Sequence, residues 1–261
     1  MDRTRLVVRR DGPIAHVMLA RPEVRNAFDA GAIAELTATF LGLGADQAVR
    51  AIVLAGAGSA FCGGADIAWM RASVELDAEA NREDARAMSR MFRAIDRAPK
   101  PVVARVHGAA LGGGVGLVAV CDVAISAADT RFGFTETKLG LLPAVISPFV
   151  LAKIGASHAR ALALTGERFD AARALQIGLV HEVVAREADL DDAVARVTRE
   201  LLGASPTAVA ATKALLASVA ASDYDATLEL TAQAIARQRT SPEGQDGLRA
   251  FLEKRTPAWT R

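Results

Sequence analysis

At 261 residues, 51% of them hydrophobic and 23% charged, the chain is long enough to bury a substantial core and too apolar to remain disordered. A formal net charge of +1, few aromatics and no long run of like charge argue against a nucleic-acid partner. Cys62 and Cys121 are too few for a disulfide framework and lack the CxxC or Cys/His spacing of a metal site, so both are expected to be reduced and buried, with no metal.

The N-terminal "MDRTRLVVRRDG" has no apolar signal core and no segment approaches the length of a membrane span, which leads to the expectation of a cytoplasmic protein. "RLVVRR" and "IAHVMLA" then read as two strands of a hairpin turning at Asp11-Gly12-Pro13. A helical pattern spans roughly 30 to 43, and "AIVLAG" (51–56) is short and wholly apolar, as in a strand covered on both faces. The charged segment from about 74 to 97 predicts a helix with one exposed face. Pro99 and Pro101 set the start of a further buried strand in "PKPVVARVHG", and "DVAISAA" (122–128) is a third. From about 189 onward the pattern is helical, with Ser205 placed to cap a helix whose first residue is Pro206. The chain thus divides into an α/β core (1–200) and a helical C-terminal part (201–261), with no Gly/Ser linker and no sequence repeat.

Two glycine-rich stretches stand out. Gly114-Val115-Gly116-Leu117-Val118-Ala119 fits a loose GxGxxA pattern, and Glu136 stands twenty residues beyond Gly116. A dinucleotide fold, however, needs a crossover of a dozen or more residues before the next parallel strand, and only about five separate Gly116 from Asp122. No lysine follows either cluster to make a phosphate loop. In "GSAFCGGADIAWM" the chain runs through Gly63, Gly64 and Ala65 into a short helix that Asp66 could cap. Two bare turns at strand ends, each opening a helix, are either tight turns alone or a pair of backbone N–H donors aimed at one point to hold a developing oxyanion.

"RPEVRNAF", "AGAGSAFCGGADIAWM", "KPVVARVHGAALGGGVGL", "FGFTETKLGLLP", "ALTGERFDAARALQIGLVHEVV" and "FLEKRTPAW" occur in an order and spacing that resembles the enoyl-CoA hydratase/isomerase, or crotonase, family over nearly the whole chain. The resemblance implies an α/β spiral of ββα turns, a C-terminal helical region that builds trimers or hexamers, an acyl-CoA thioester substrate, and no cofactor beyond the coenzyme A it carries. It implies that the N–H groups of Ala65 and Gly113 bind the thioester oxygen, and that a side chain at Gly113 would obstruct the acyl group. Coenzyme A would lie along Val24, Arg25, Ala65, Asp66, Ile67 and Ala68, with Arg25 meeting a phosphate, while Gly112, Gly113 and Gly116 would line the site.

Hydratases of the family carry two glutamates that hold a water and move its proton; the second matches Glu136, but Gly116 occupies the first position. One carboxylate is the pattern of the family's double-bond isomerases. "GADIAWM", the glycine in "GGGVGL", and "GLLPAVISPFV" nevertheless resemble the bacterial methylglutaconyl-CoA hydratase branch, which acts in leucine breakdown. Hydration of 3-methylglutaconyl-CoA or a related branched substrate is therefore expected, with an isomerase, or a non-catalytic acyl-CoA binding protein, as the alternatives. A glutaconyl tail would seek a cation, for which Arg71 and Lys138 stand nearest in sequence. Val145, Ile146 and Ser147 are candidates for choosing the acyl chain, Trp69 and Met70 either wall the pocket or pack the core, and His107 is expected to be structural.

Overall fold

The computed structural model describes residues 4–260. Leu6–Asp11 (β1) and Ile14–Leu19 (β2) form the antiparallel hairpin, with Gly12 at its tip at a φ of 52°. Alternate residues of β2, Ala15, Val17 and Leu19, are buried, the period of a sheet face on a core. Ala30–Ala45 (α1) is capped by Asp29, whose carboxylate accepts from the Ala32 N–H at 2.8 Å, and it leads to Ala51–Gly56 (β3), parallel to β2.

From β3 onward the chain climbs as a spiral. Val102–Val106 (β4), Val123–Ala127 (β6) and Glu182–Val184 (β9) each add in parallel, completing a six-stranded sheet in the order β1-β2-β3-β4-β6-β9. On each pass the chain also contributes a short second segment: Cys62 after β3, Ala109–Leu111 (β5) after β4, Arg131–Gly133 (β7) after β6. These pair in parallel with one another, and Arg168–Asp170 (β8) closes antiparallel on β7. The passes stack in register, with Leu54 opposite Ala104 opposite Ala124 in one layer and Cys62 beside Ala110 beside Phe132 in the other. This is the ββα spiral of the crotonase fold. No sequence repeat marks it because each pass asks only for a short apolar strand and a tight turn.

Helices close each pass: Ile67–Ser73 (α2) and Ala78–Asp96 (α3) the first, Gly113–Ala119 (α4) the second, and Ser147–Thr165 (α5), with Ala171–Gln176 (α6) beyond β8, the third. The segment expected to be one helix from 74 begins at Ala78, where Asp77 caps it. Its buried residues, Met91, Phe92 and Ile95, face a core that also holds Phe28, Phe40, Phe61, Phe132 and Phe134. Leu190–Gly203 (α7) covers the other side of the sheet, setting Leu190, Ala193 and Val194 on Val53, Val103 and Ile125. Both cysteines are fully buried and burial pushes their thiols up to about 12, so they are inert, as expected.

Pro206–Ala221 (α8), Tyr224–Thr240 (α9) and Pro242–Glu253 (α10) follow, Ser205 capping α8 through the Ala208 N–H. The division expected at 200/201 falls inside the last turn of α7, and burial changes a few residues later: α8 and α9 bury no side chain. Leu216, Leu228, Ile235 and Phe251 are exposed there, and no single helix among the described residues is long and apolar enough to cross a membrane.

Arg50, just before β3, fastens this part to the sheet. Its guanidinium donates to the carbonyls of Leu202 (2.8 Å), Ala204 (2.6 Å) and Trp259 (2.9 Å). Charged donors contribute about 1.5–3 kcal/mol per bond, and orphaned carbonyls cost more. Arg50→Ala should therefore lose about 2–4 kcal/mol of stability, read by denaturant unfolding; an unchanged midpoint would show that the three bonds are redundant.

Candidate active site

The loop that leads into the first bare turn is held by a residue far upstream of it. Asn26, buried and in the left-handed region at φ 55°, donates from Nδ2 to the carbonyls of Ala57 and Ala60, both at 2.7 Å, while its Oδ1 accepts from the Arg21 N–H. Phe28 then pairs with the turn as a strand would, its N–H donating to Gly64 O and its carbonyl accepting from the Asp66 N–H. The intervening Ala65 N–H is left pointing elsewhere.

The second turn is brought alongside by two backbone bonds, Cys62 N–H to Ala109 O and Leu111 N–H to Cys62 O, each 3.0 Å. Gly112, at φ 51°, opens α4, and a Cβ on Gly64 would stand 2.8 Å from Leu111 O and 3.7 Å from Gly113 N, so the turns are in contact. Among the described residues neither the Ala65 nor the Gly113 N–H has a protein acceptor. Both residues line one cavity of about 460 Å³. The pair of turns is thus more than a packing device: it presents two free donors, one at a helix N-terminus, to a shared space.

Glu136 faces the same cavity from the single-turn 3-10 helix after β7. A Cβ added to Gly112 would lie 3.2 Å from its Oε1, so the glycine gives the carboxyl room against the second bare turn. Oε2 is buried without a hydrogen-bond partner, and burial raises the carboxyl above its ordinary range. A desolvated carboxylate with one oxygen free to accept a proton is a competent general base.

Gly112 and Gly113 line the cavity, but Gly116 does not, contrary to the sequence expectation. It is buried behind the wall, where a Cβ would stand 2.3 Å from Ile146 Cγ2 and 2.9 Å from the Phe92 ring. The room a first glutamate would need is occupied by those two side chains. Gly116→Glu should accordingly destabilise the fold by at least the ~1–3 kcal/mol typical of overpacking, seen as a lower melting temperature, without raising hydration of crotonyl-CoA. A folded variant with faster hydration would show that Ile146 and Phe92 move aside.

Asp66 caps α2 through the N–H groups of Ala68 (2.7 Å) and Trp69 (3.3 Å), and its other oxygen pairs with Arg21 at 2.7 Å. Both oxygens are engaged, so Asp66 positions α2. Val24, Asp66 and Ala68 border a second cavity of about 470 Å³ with Arg5, Arg21 and Asp29, and Trp69 lines both cavities. Ile67 lines the first, whereas Arg25, exposed and left-handed at φ 54°, lines neither. Val145, Ile146 and Met70 belong to the first wall. Ser147 does not; its hydroxyl donates to Ala144 O where α5 begins. His107 is structural as expected, buried with Nε2 2.8 Å from Gly58 O. Among the described residues no group of side chains is arranged to hold a metal ion.

The enoyl-CoA hydratase/isomerase family model matches residues 9–261. This chain belongs to that family. A structure of AtuE from Pseudomonas aeruginosa shares 41% identity with it over 99% of this chain and 100% of that one, with a TM-score of 0.96. An enoyl-CoA hydratase from Shewanella pealeana superposes with a TM-score of 0.94 at 39% identity, covering 98% and 96% of the two chains. The short-chain-enoyl-CoA hydratase of Clostridium acetobutylicum is 30% identical over 98% of this chain and 97% of its own. The protein is thus an enzyme of the enoyl-CoA hydratase/isomerase family with the crotonase fold.

Sequence reasoning missed Arg21, Phe28, Asp84 and Phe92. Arg21 meets a carboxylate 45 positions away and Phe28 meets Gly113 across the fold, relations no local spacing encodes. The one available signal was the helical period on α3, which puts Asp84, Met88 and Phe92 on one face.

Proposed function

We propose that this enzyme adds water across the 2,3 double bond of a short, branched enoyl-CoA thioester. The observation that carries the reading is the meeting of two partnerless backbone donors with one half-buried carboxyl group, its Oε2 buried and unpartnered, in a single apolar cavity. The Ala65 and Gly113 N–H groups hold the thioester oxygen as it becomes an enolate oxygen, which makes the β-carbon electrophilic. Glu136 takes a proton from water as the water's oxygen bonds to the β-carbon, then returns that proton to the α-carbon. Val24, Ala65, Ile67, Ala68 and Trp69 lead from this point to the second cavity, the course proposed for coenzyme A, with Arg21 beside it where Arg25 was expected. No cofactor enters the reaction. The exposed apolar residues of α8 to α10 support assembly as a trimer or a pair of trimers.

A methylglutaconyl-type acyl group would need a cation for its distal carboxylate. Arg71 and Lys138 are both exposed and outside the cavity wall, and among the described residues no Lys, Arg or His lines it. The reading therefore keeps the branch and drops the acid.

Double-bond isomerisation is the second reading, favoured by one fact: with the space at Gly116 filled, Glu136 is the carboxylate beside the donors, sufficient to carry a proton between two carbons. The deciding assay offers crotonyl-, 3-methylcrotonyl- and 3-methylglutaconyl-CoA in deuterated water, then a 3-enoyl-CoA, following conjugated-thioester absorbance and product mass. Water gained by the first set supports the hydratase. New absorbance from the 3-enoyl-CoA alone supports the isomerase, and silence throughout refutes both.

A further inference from the structure

The wall of the acyl cavity changes character along its length. α3 presents to it Asn81, Asp84, Met88 and Phe92, the spacing of one helix face. Phe92 packs edge-on to Phe28 with ring centroids 6.3 Å apart, and Phe28 abuts Gly113, so the C-terminal end of this stripe marks the reacting centre. Asp84 comes eight residues earlier, about 12 Å along the axis at the rise of an α-helix. It is out of reach of atoms held by Ala65 and Gly113, and at the end of the cavity formed by the α2–α3 turn.

What this end offers a ligand is one-sided. Asp84 is half-buried, and among the described residues its carboxylate has no donor. The arginines of the same helix are exposed and none lines the cavity, Arg82 and Arg86 pairing with Glu79, Arg90 with Glu83, and Arg93 lying in the last turn. The two other polar neighbours have spent their donors internally. Asn81 Nδ2 is shared by the carbonyls of Ser73, Leu76 and Asp77 (3.3, 3.0 and 3.0 Å), and the Ser73 hydroxyl donates to Met70 O at 2.7 Å. What remains toward the cavity at this end is mostly acceptors, one of them charged; the other side-chain donors in the lining are the Trp69 indole N–H and the Thr135 hydroxyl.

We propose that Asp84 is a specificity-determining residue that makes this end of the cavity select acyl chains ending in a hydrogen-bond donor, such as a hydroxyl, and reject chains ending in a carboxylate. The inference rests on the reading that an acyl-CoA thioester fills the cavity. A hydroxyl would donate to Asp84 in a charge-assisted bond, whereas a terminal carboxylate would be desolvated against a like charge.

The test uses the coenzyme A thioesters of pentanoate, 5-hydroxypentanoate and glutarate, which match in length, differ at the tail and carry no double bond to react. Calorimetric titration of the intact protein should find the hydroxy thioester bound about threefold or more tighter than pentanoyl-CoA, and glutaryl-CoA about tenfold weaker. Asp84→Asn, nearly isosteric at a position without partners, should recover at least about half of the glutaryl deficit on a logarithmic scale and leave pentanoyl-CoA within about twofold. Glutaryl-CoA binding the native protein as tightly as pentanoyl-CoA, or an Asn variant with unchanged ratios, overturns the assignment of Asp84 while leaving the acyl-thioester reading intact. Failure of all three to bind overturns that reading and the inference with it.

Discussion

Glu136→Gln should abolish turnover and at the same time make the protein more resistant to heat at neutral pH. The loss of rate, about 10²- to 10⁴-fold for a positioned general base, follows from removing the carboxylate that faces the donors. The gain in stability follows from the direction of its pKa. Burial raises the folded-state value above the ordinary 4.5, so the folded protein binds the proton more tightly than the unfolded chain does. Stability from this group is fully present below the ordinary value and is lost as pH climbs through the folded-state value. Native protein therefore carries a penalty at pH 7 that glutamine escapes. Melting curves of the two proteins should separate at pH 7–8 and converge well below 4.5. For the native enzyme the acid limb of kcat/KM should fall above the range of an ordinary glutamate, since the base must be ionised. Equal melting temperatures at both pH values would mean that water reaches Oε2 in solution; unchanged turnover would remove Glu136 from the reaction.

The second large effect is at Gly113. The sequence suggests that a side chain here obstructs the acyl group, and in the structure its Cβ would stand 2.2 Å from Cζ of Phe28, a buried ring that also lines the cavity. Gly113→Val must displace Phe28 or α4. Overpacking of this kind costs about 1–3 kcal/mol or more. Because α4 begins at Gly113, the same displacement moves the N–H donor, and loss of an oxyanion donor costs about 10²–10³ in rate. A milder pair separates the two consequences. Gly113→Ala with Phe28→Leu should regain most of the melting temperature of Gly113→Ala alone while kcat stays depressed, because a shifted donor is not restored by refilling the core. Full recovery of kcat in the double variant would show that the donor had not moved.

What the sequence makes legible here is what local chemistry decides. The hairpin turn at Gly12 and the caps at Asp66 and Ser205 were each readable because the signal and its consequence lie within a few residues. Ala65, Gly113 and Glu136 were located through ordered motifs resembling a family, since a free backbone N–H has no signature of its own. Partners brought together by the spiral were beyond reach. Arg50 holds carbonyls more than 150 positions away, and Gly116 reads as an open glycine in a glycine run although Ile146 and Phe92 fill the space beside it. A glycine in sequence says that a side chain is absent; only packing says whether the gap is for a ligand or for a neighbour.

The two donors proposed to hold the oxyanion belong to the main chain, and one of them sits on a residue that is already alanine. A systematic alanine scan would therefore register Glu136 strongly and pass over position 65 without a signal. The same silence protects the site from most single-codon changes at residue 65, since every amino acid except proline supplies an N–H there. Reading that position requires editing the backbone itself: an ester in place of the amide at residue 65, introduced by semisynthesis, deletes the hydrogen and keeps the side chain.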